Sequence, residues 1–177
     1  MVKKHTLLVC EQFEKYAFAF DNKCMNMDLM RLVLAIHDIG KAIDRSTQHE
    51  HTLSLVRELW ENTPFNKHEL YLVEVLLRDD HLGSYFQNKY DLSDLKEEIV
   101  ADATELKMSP SILLQYKMIL YQCDIASYTK DAGGLKYLEH MFVYENGEKA
   151  FDEDNGIIAM SEEYADRYVN LKESINE

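Results

Sequence analysis

The chain has 177 residues, of which 46% are hydrophobic and 29% charged, a balance typical of one folded globular domain. Its formal net charge of −13 makes general binding to nucleic acid unfavourable, because both partners are negatively charged. Cys10, Cys24 and Cys123 are odd in number and lack CxxC spacing, which favours a reducing, cytoplasmic compartment. No apolar run approaches the length of a membrane span, so no membrane association is expected.

The first two predicted helices lead to a polar segment. Apolar residues at three- and four-residue spacing predict a first helix from His5 to about Phe20. A polar break at 21–23 precedes the second helix, for which Asn26 is a suitable N-cap. This helix carries the apolar run 32–36 and leads to the sequence HDIGK at 37–41. Gly40 is expected to end the helix as its left-handed C′ residue.

Four further helices are predicted before residue 129. A third helix spans about 49–62 and is expected to bury Leu53, Val56, Leu59 and Trp60. The fourth begins at Asn66, which forms a capping-box pattern with Glu69, and Gly83 is expected to break the pattern beyond it. The fifth begins at Ser93, and the sixth begins at Ser109-Pro110 and runs to about Tyr128.

The last part of the chain has a different pattern. Gly133-Gly134 predicts a hinge-like turn, and a short helix is expected at about 135–140. Residues 142–151 carry β-formers on both sides of Asn-Gly, which predicts a hairpin. Ser161 is expected to cap a final amphipathic helix.

Several of the predicted core helices carry histidine or aspartate residues that could bind a metal ion. Burying His37 and Asp38 at the inner end of a helix is costly unless both are paired, and a divalent metal ion could pair them. His5 lies on the first helix and Asp124 on the inward stripe of the sixth. A single histidine on an apolar face is more often an ordinary core residue than a ligand. Here, however, three separate helices each offer a nitrogen or oxygen ligand, which favours a metal site in a helical bundle.

Three segments resemble, in this order, motifs of the HD-domain metal-dependent phosphohydrolase superfamily. They are HTLLV at 5–9, HDIGK at 37–41 and CDIAS at 123–127. The resemblance extends over about residues 5–128. It implies an all-α fold, a single HD-type helical bundle over 1–177 with its core at 5–128. A small β-hairpin and a helix would then lie within 129–177.

The resemblance also implies roles for individual residues. His5, His37, Asp38 and Asp124 would bind a divalent metal, one ion or two, and mixed nitrogen and oxygen ligands suit Mn, Fe, Co, Ni or Zn. Asp38 would also act in catalysis by accepting the proton of the attacking water. Lys41 would be both catalytic and substrate-binding, by neutralising charge on the phosphate.

Two further histidines are expected to contact the substrate. His49 and His51 lie about 200° apart on a helix, so one of them should face inward. His51 is preferred, because it lies one helical turn before Leu55 and its distance from His37 suits the family pattern. His81 resembles the next histidine of the family and is assigned to substrate binding with His51.

The expected function is therefore hydrolysis of a small phosphorylated substrate, such as a nucleotide or another phosphoester, by metal-activated water. One alternative is an HD-fold di-iron oxygenase, with His51 and His81 as additional ligands. Another alternative is a non-catalytic HD-fold module with a regulatory or binding role. The sequence leaves open the substrate, the number of metal ions and whether the chain forms a homodimer.

Overall fold

A computed structural model describes residues 2–20, 25–128 and 140–176, and these parts of the chain are mainly α-helical. The helices are α1 Val2–Phe20, α2 Met27–Ile36, a 3₁₀ helix Ile39–Ala42, α3 Gln48–Trp60, α4 Lys67–Leu77, α5 His81–Phe86, α6 Leu92–Glu105, α7 Pro110–Ala126 and α8 Glu162–Ser174. The predicted polar break at 21–23 lies outside the described residues. So do the hinge at Gly133-Gly134 and the predicted short helix, except for its last residue.

Helix α7 is the centre of the bundle. It contacts α1, α2, α4, α5 and α6, and most of its side chains are buried on every side. A helix that is apolar around its whole circumference belongs in a core, because no face of it gains from contact with water. Asp124 lies near the C-terminal end of this helix, where its carboxylate meets His5 of α1.

One buried stripe of α1 determines where His5 lies. Val9, Phe13, Tyr16 and Phe20 follow His5 at three- and four-residue spacing, and all five side chains are buried. This spacing keeps them on one face of the helix, which packs against α2 and α7. The hydrophobic stripe therefore carries a histidine into the interior of the bundle.

The end of α2 differs from the prediction. The helix ends at Ile36 with His37 as its C-cap, and Gly40 lies within the following 3₁₀ helix rather than at a left-handed C′ position. Gly40 is needed for a different reason. A Cβ there would lie 2.1 Å from the carbonyl oxygen of Gln48, and the Gly40 N–H donates to Thr52 Oγ1 at 3.0 Å. Gly40 thus allows the 3₁₀ helix to lie directly against α3.

The remaining helix boundaries agree with those predicted from the sequence in some places and differ in others. The capping box of Asn66 and Glu69 is confirmed. Leu59, expected to be buried, is 47% exposed, because the buried face of α3 carries Thr52, Val56 and Trp60. Gly83 does not break the chain pattern but lies inside α5, and α6 begins at Leu92 after Asp91 rather than at Ser93.

The predicted hairpin is present within a small β region. Strand β1 Tyr144–Glu145 pairs antiparallel with β2 Glu148–Lys149, and the positive φ angles of Asn146 and Gly147 form the turn between them. A second antiparallel pair, β3 Phe151–Asp152 and β4 Ile157–Ile158, was not predicted. The Gln122 side chain of α7 bonds both to the N–H and to the carbonyl of Ile158, so this region is attached to the core.

None of the helices within the described ranges is both long and apolar enough to cross a membrane.

Candidate metal site

The four predicted metal ligands converge at one place in the bundle. His5, His37 and Asp38 each offer a ligand atom, and these three atoms lie within 4.8 Å of one another. Asp124 joins them, because its Oδ1 lies 2.7 Å from His5 Nε2 and 3.5 Å from His37 Nε2. Asp38 Oδ2 lies 3.6 Å from each of the two Nε2 atoms. Residues from α1, the end of α2 and α7 therefore form one cluster.

Hydrogen bonds on the far side of each imidazole orient the two histidines. His37 Nδ1 donates to the carbonyl oxygen of Leu34 at 2.7 Å. His5 Nδ1 lies 3.0 Å from Ser127 Oγ, and this hydroxyl donates its own hydrogen to the Asp124 carbonyl oxygen at 2.6 Å. In both rings the Nε2 atom is thus the one that faces the carboxylates. A metal-binding histidine is commonly held by such a bond from its other nitrogen.

His37 Nε2 is buried and has no hydrogen-bond partner among the described residues. A buried polar atom without a partner costs free energy, so most such atoms in folded proteins are paired. The nearest acceptors, one oxygen of Asp124 and one of Asp38, lie 3.5 and 3.6 Å away, which is longer than a normal hydrogen bond. A cation between these atoms would satisfy all of them. The donor set therefore fits a divalent metal ion.

The charges of the cluster perturb the ionisation of its members. Burial would raise the pKa of Asp124, but the neighbouring imidazoles of His37 and His5 hold this pKa far below its usual value. Burial would lower the pKa of His37, yet Asp124 and Asp38 raise it above its usual value. In the metal-free protein these two opposite shifts favour a protonated His37 beside an ionised Asp124.

Lys41 forms an ion pair with both carboxylate oxygens of Asp38. Its Nζ lies 2.6 Å from Asp38 Oδ1 and 2.7 Å from Oδ2. The Asp38 side chain is 8% exposed and the Lys41 side chain 23%, so the ion pair is partly shielded from water. The HDIGK segment thus supplies a cation directly beside the predicted metal ligands.

A pocket of about 200 Å³ opens beside the cluster. His37, Asp38 and Asp124 line one side of it, together with Lys41. The other polar or aromatic side chains of its wall are Gln48, His49, Asp79, Asp80, Lys117, Tyr121 and Tyr128. Three of the four candidate metal ligands therefore border a space that a small molecule can enter, whereas His5 lies behind them.

The preference for His51 over His49 is corrected by the pocket lining. His49 lines the pocket, and its Nδ1 donates to the carbonyl oxygen of Leu77 at 3.0 Å. His51 is not part of the wall and interacts with the exposed Asp44. The two positions are about 200° apart, and Thr52, which packs on Gly40, fixes the rotation of α3.

His81 does not line the pocket either. Its ring stacks on Tyr90 with a centroid distance of 4.3 Å, and its Nδ1 lies 2.6 Å from Glu98 Oε2. The ligand atoms of Asp79, His81 and Glu98 are close enough to hold a metal ion. However, cations already pair with these carboxylates, since Arg78 contacts Asp79 at 3.0 Å and Glu98 at 3.4 Å. This second cluster is therefore an ion-pair network.

Three charged residues of the pocket wall were missed by the sequence analysis. Asp79 and Asp80 lie directly before His81, to which the sequence analysis assigned the substrate contact. Because a break was expected at Gly83, a helix beginning at His81 with Asp80 as its N-cap was not predicted. Lys117 lies on α7 seven residues before Asp124, at two helical turns, so it shares the inward face of that ligand. This spacing was the one signal that could have identified it.

In comparisons with known proteins, no family model, no curated protein and no solved structure matches this chain.

Proposed function

We propose that this protein is a metal-dependent phosphohydrolase of the HD-domain type, with His5, His37, Asp38 and Asp124 as the ligands of a divalent ion. The observation that carries the proposal is the buried Nε2 of His37, which forms no hydrogen bond and faces two carboxylates at 3.5 and 3.6 Å beside an open pocket. Two imidazoles and two carboxylates suit Mn, Fe, Co, Ni or Zn better than Mg or Ca.

A bound ion of this kind polarises a phosphoryl oxygen and makes a bound water more acidic. The chain supplies the other functions. Asp38 has two oxygens, so one can contact the ion while the other accepts a proton from water. Lys41 lies beside Asp38 at 2.6 Å and lines the pocket, where it would neutralise charge developing on the phosphate.

His49 is the second candidate for contact with the phosphate. Its Nδ1 donates to the Leu77 carbonyl, so the imidazole is held in place while the rest of the ring lines the pocket. The neutral ring accepts from Gln48 Nε2 at its own Nε2, at 3.3 Å, so His49 would contact the phosphate as an imidazolium that carries a proton on both nitrogens. A cation held in place in this way costs little free energy to reorganise when charge develops on the substrate. His49 thus takes the role that the sequence assigned to His51.

The size of the pocket supports a small substrate. Its volume of about 200 Å³ is below the range of roughly 300–1,000 Å³ that is usual for drug-sized ligands. Such a space would accommodate the phosphoester end of a small nucleotide. Binding of a nucleic acid chain is disfavoured by the net charge of −13. The proposed reaction is hydrolysis of a small phosphoester.

The test is hydrolysis of p-nitrophenyl phosphate by the purified protein after loading with Mn²⁺, Co²⁺, Ni²⁺ or Zn²⁺. We expect metal-dependent release of nitrophenol by the wild type and its loss, by about a hundredfold or more, in Asp124→Asn. Glu58→Gln, which removes one exposed charge from α3, is the matched control and should retain activity. A wild type that binds metal and hydrolyses no phosphoester would contradict the proposal.

The same experiment addresses the two other functions. A di-iron oxygenase would need His51 and His81 beside the first ion, and neither residue lines the pocket. Full metal binding without hydrolysis of any phosphoester would favour a non-catalytic binding module.

A further inference from the structure

Of the four aspartates that line the pocket, one lacks a positively charged partner. Asp38 is paired with Lys41, Asp79 with Arg78, and Asp124 with the two histidines. Among the residues that the structure describes, no cation forms an ion pair with Asp80, and its carboxylate accepts only the N–H of Gly83, at 3.2 Å. The side chain stays exposed at the pocket wall, so a ligand can reach it.

The position of the Asp80 carboxylate is held by the start of α5. A Cβ added at Gly83 would lie 2.3 Å from Asp80 Oδ1 and 2.7 Å from Oδ2, so the carboxylate packs directly on the glycine. Asp80 is also the N-cap of this helix. Contact with Gly83 and the bond from its N–H therefore fix the side chain before any ligand arrives.

The surrounding charges make this a site of negative potential. Partial burial of the carboxylate at the pocket wall and the charges of Asp124 and Asp79 raise the pKa of Asp80 to about 6, although the hydrogen bond from Gly83 and the charge of His49 oppose the rise. At pH 8 the carboxylate is ionised. An uncompensated carboxylate accepts hydrogen bonds from hydroxyl or amino groups and repels a second anionic group.

We infer that Asp80 is a specificity-determining residue of the pocket, which accepts a hydrogen bond from a hydroxyl or amino group of the leaving portion of the substrate and excludes substrates with a second anionic group. This inference rests on the proposed phosphohydrolase function. It narrows the substrate class to phosphomonoesters whose leaving group is neutral and carries hydrogen-bond donors.

Three phosphomonoesters of similar size test the inference at pH 8 with the Mn²⁺-loaded protein. Glycerol 1-phosphate carries hydroxyl groups, n-propyl phosphate lacks them, and 3-phosphoglycerate adds a carboxylate. We expect kcat/KM for glycerol 1-phosphate to exceed that for each of the other two by about tenfold to a hundredfold, the effect of one hydrogen bond to a charged group.

Asp80→Asn is the decisive variant, because asparagine keeps the oxygen that accepts from Gly83 but removes the charge. We expect it to raise kcat/KM for 3-phosphoglycerate and to reduce the preference for glycerol 1-phosphate over that substrate to within about threefold. Asp154→Asn, at an exposed position of the turn between β3 and β4, is the matched control and should keep the wild-type preference. Thermal unfolding confirms that each variant is folded.

The outcomes separate the inference from the proposed function. Equal kcat/KM values for the three esters, unchanged in Asp80→Asn, would overturn the inference while leaving the hydrolase in place. Loss of bound Mn²⁺ from Asp80→Asn would also overturn it, because Asp80 would then be a metal ligand. Failure of the wild type to hydrolyse either these esters or p-nitrophenyl phosphate would overturn both.

Discussion

His5 Nε2 and Asp124 Oδ1 lie 2.7 Å apart although the two residues are separated by 119 positions in the chain. This hydrogen bond joins α1 to α7, the first and last helices of the bundle core. Both side chains also face His37. The fold itself therefore brings the side chains of the candidate site together.

Lys41 provides the first prediction. Lys41→Met should reduce kcat by about a hundredfold, because the pocket loses the cation that would stabilise charge on the phosphate. Metal content should be unchanged, since Lys41 is not one of the proposed ligands. Steady-state kinetics with parallel metal analysis measures both quantities. A loss of metal together with activity would show that the ion pair with Asp38 holds the ligand in place instead.

The two neighbouring histidines of α3 form a matched pair. His49→Gln should lower kcat/KM by at least about tenfold, because the imidazole lines the pocket, whereas His51→Gln should leave kcat/KM within about twofold of the wild type. Both substitutions remove the same chemical group two residues apart. If His51→Gln were the damaging substitution, the assignment of the pocket-facing residue would be wrong.

Metal binding should depend on pH through His37. The pKa of His37 is raised in the metal-free protein, so its proton must leave when a metal binds to Nε2. Apparent affinity should therefore fall as pH decreases through the raised pKa, and proton release on metal binding should be greater at pH 6 than at pH 8. Calorimetric titration in buffers of different ionisation enthalpy measures this release. His51→Gln should keep the effect, and an affinity independent of pH would contradict it.

The same pKa shifts affect the stability of the metal-free fold. Protonated His37 stabilises the fold below the unfolded-state pKa of about 6.5, and this contribution is lost as pH rises through the higher folded-state value. Asp124 contributes above its unfolded-state pKa of about 3.9, and its contribution is lost as pH falls. The pair should therefore stabilise the metal-free protein most between about pH 4 and 6.5.

Substitution of Gly40 tests the packing of the 3₁₀ helix against α3, which positions the HDIGK segment. Gly40→Ala should lower the free energy of unfolding by about 1–3 kcal/mol, because the new Cβ would overlap the Gln48 carbonyl oxygen at 2.1 Å. Urea denaturation measures the change. Ser54→Ala, at an exposed position of α3, is the control and should change stability by less than about 0.5 kcal/mol. Unchanged stability in Gly40→Ala would mean that the 3₁₀ helix can move away from α3.

The periodicity of the sequence was sufficient to predict the helices and to predict that the candidate metal ligands face the interior of the bundle. The stripe that buries Val9, Phe13 and Phe20 also buries His5, and the inward face of α7 carries Asp124. These are local patterns, in which the identity of each residue predicts its side of the helix. The Asn-Gly turn of the hairpin could also be predicted from local sequence, because these two residues readily adopt the positive φ angles of the turn.

The direction of side chains at helix ends could not be predicted in this way. Whether His49 or His51 faces the pocket depends on the rotation of α3, which the contact between Thr52 and Gly40 determines across 12 positions of the chain. His81 turns to Glu98 because α6 packs beside α5, a contact that local sequence does not contain. Such tertiary contacts decide which polar residues form the pocket.

The most direct test of the central claim is metal analysis of the protein after purification and after incubation with Mn²⁺ or Zn²⁺ followed by desalting. We predict that the wild type retains a stoichiometric amount of metal and that Asp38→Ala, which removes a carboxylate from the cluster, retains far less. Glu58→Gln should bind as the wild type does. Absence of bound metal from the wild type under all of these conditions would contradict the account.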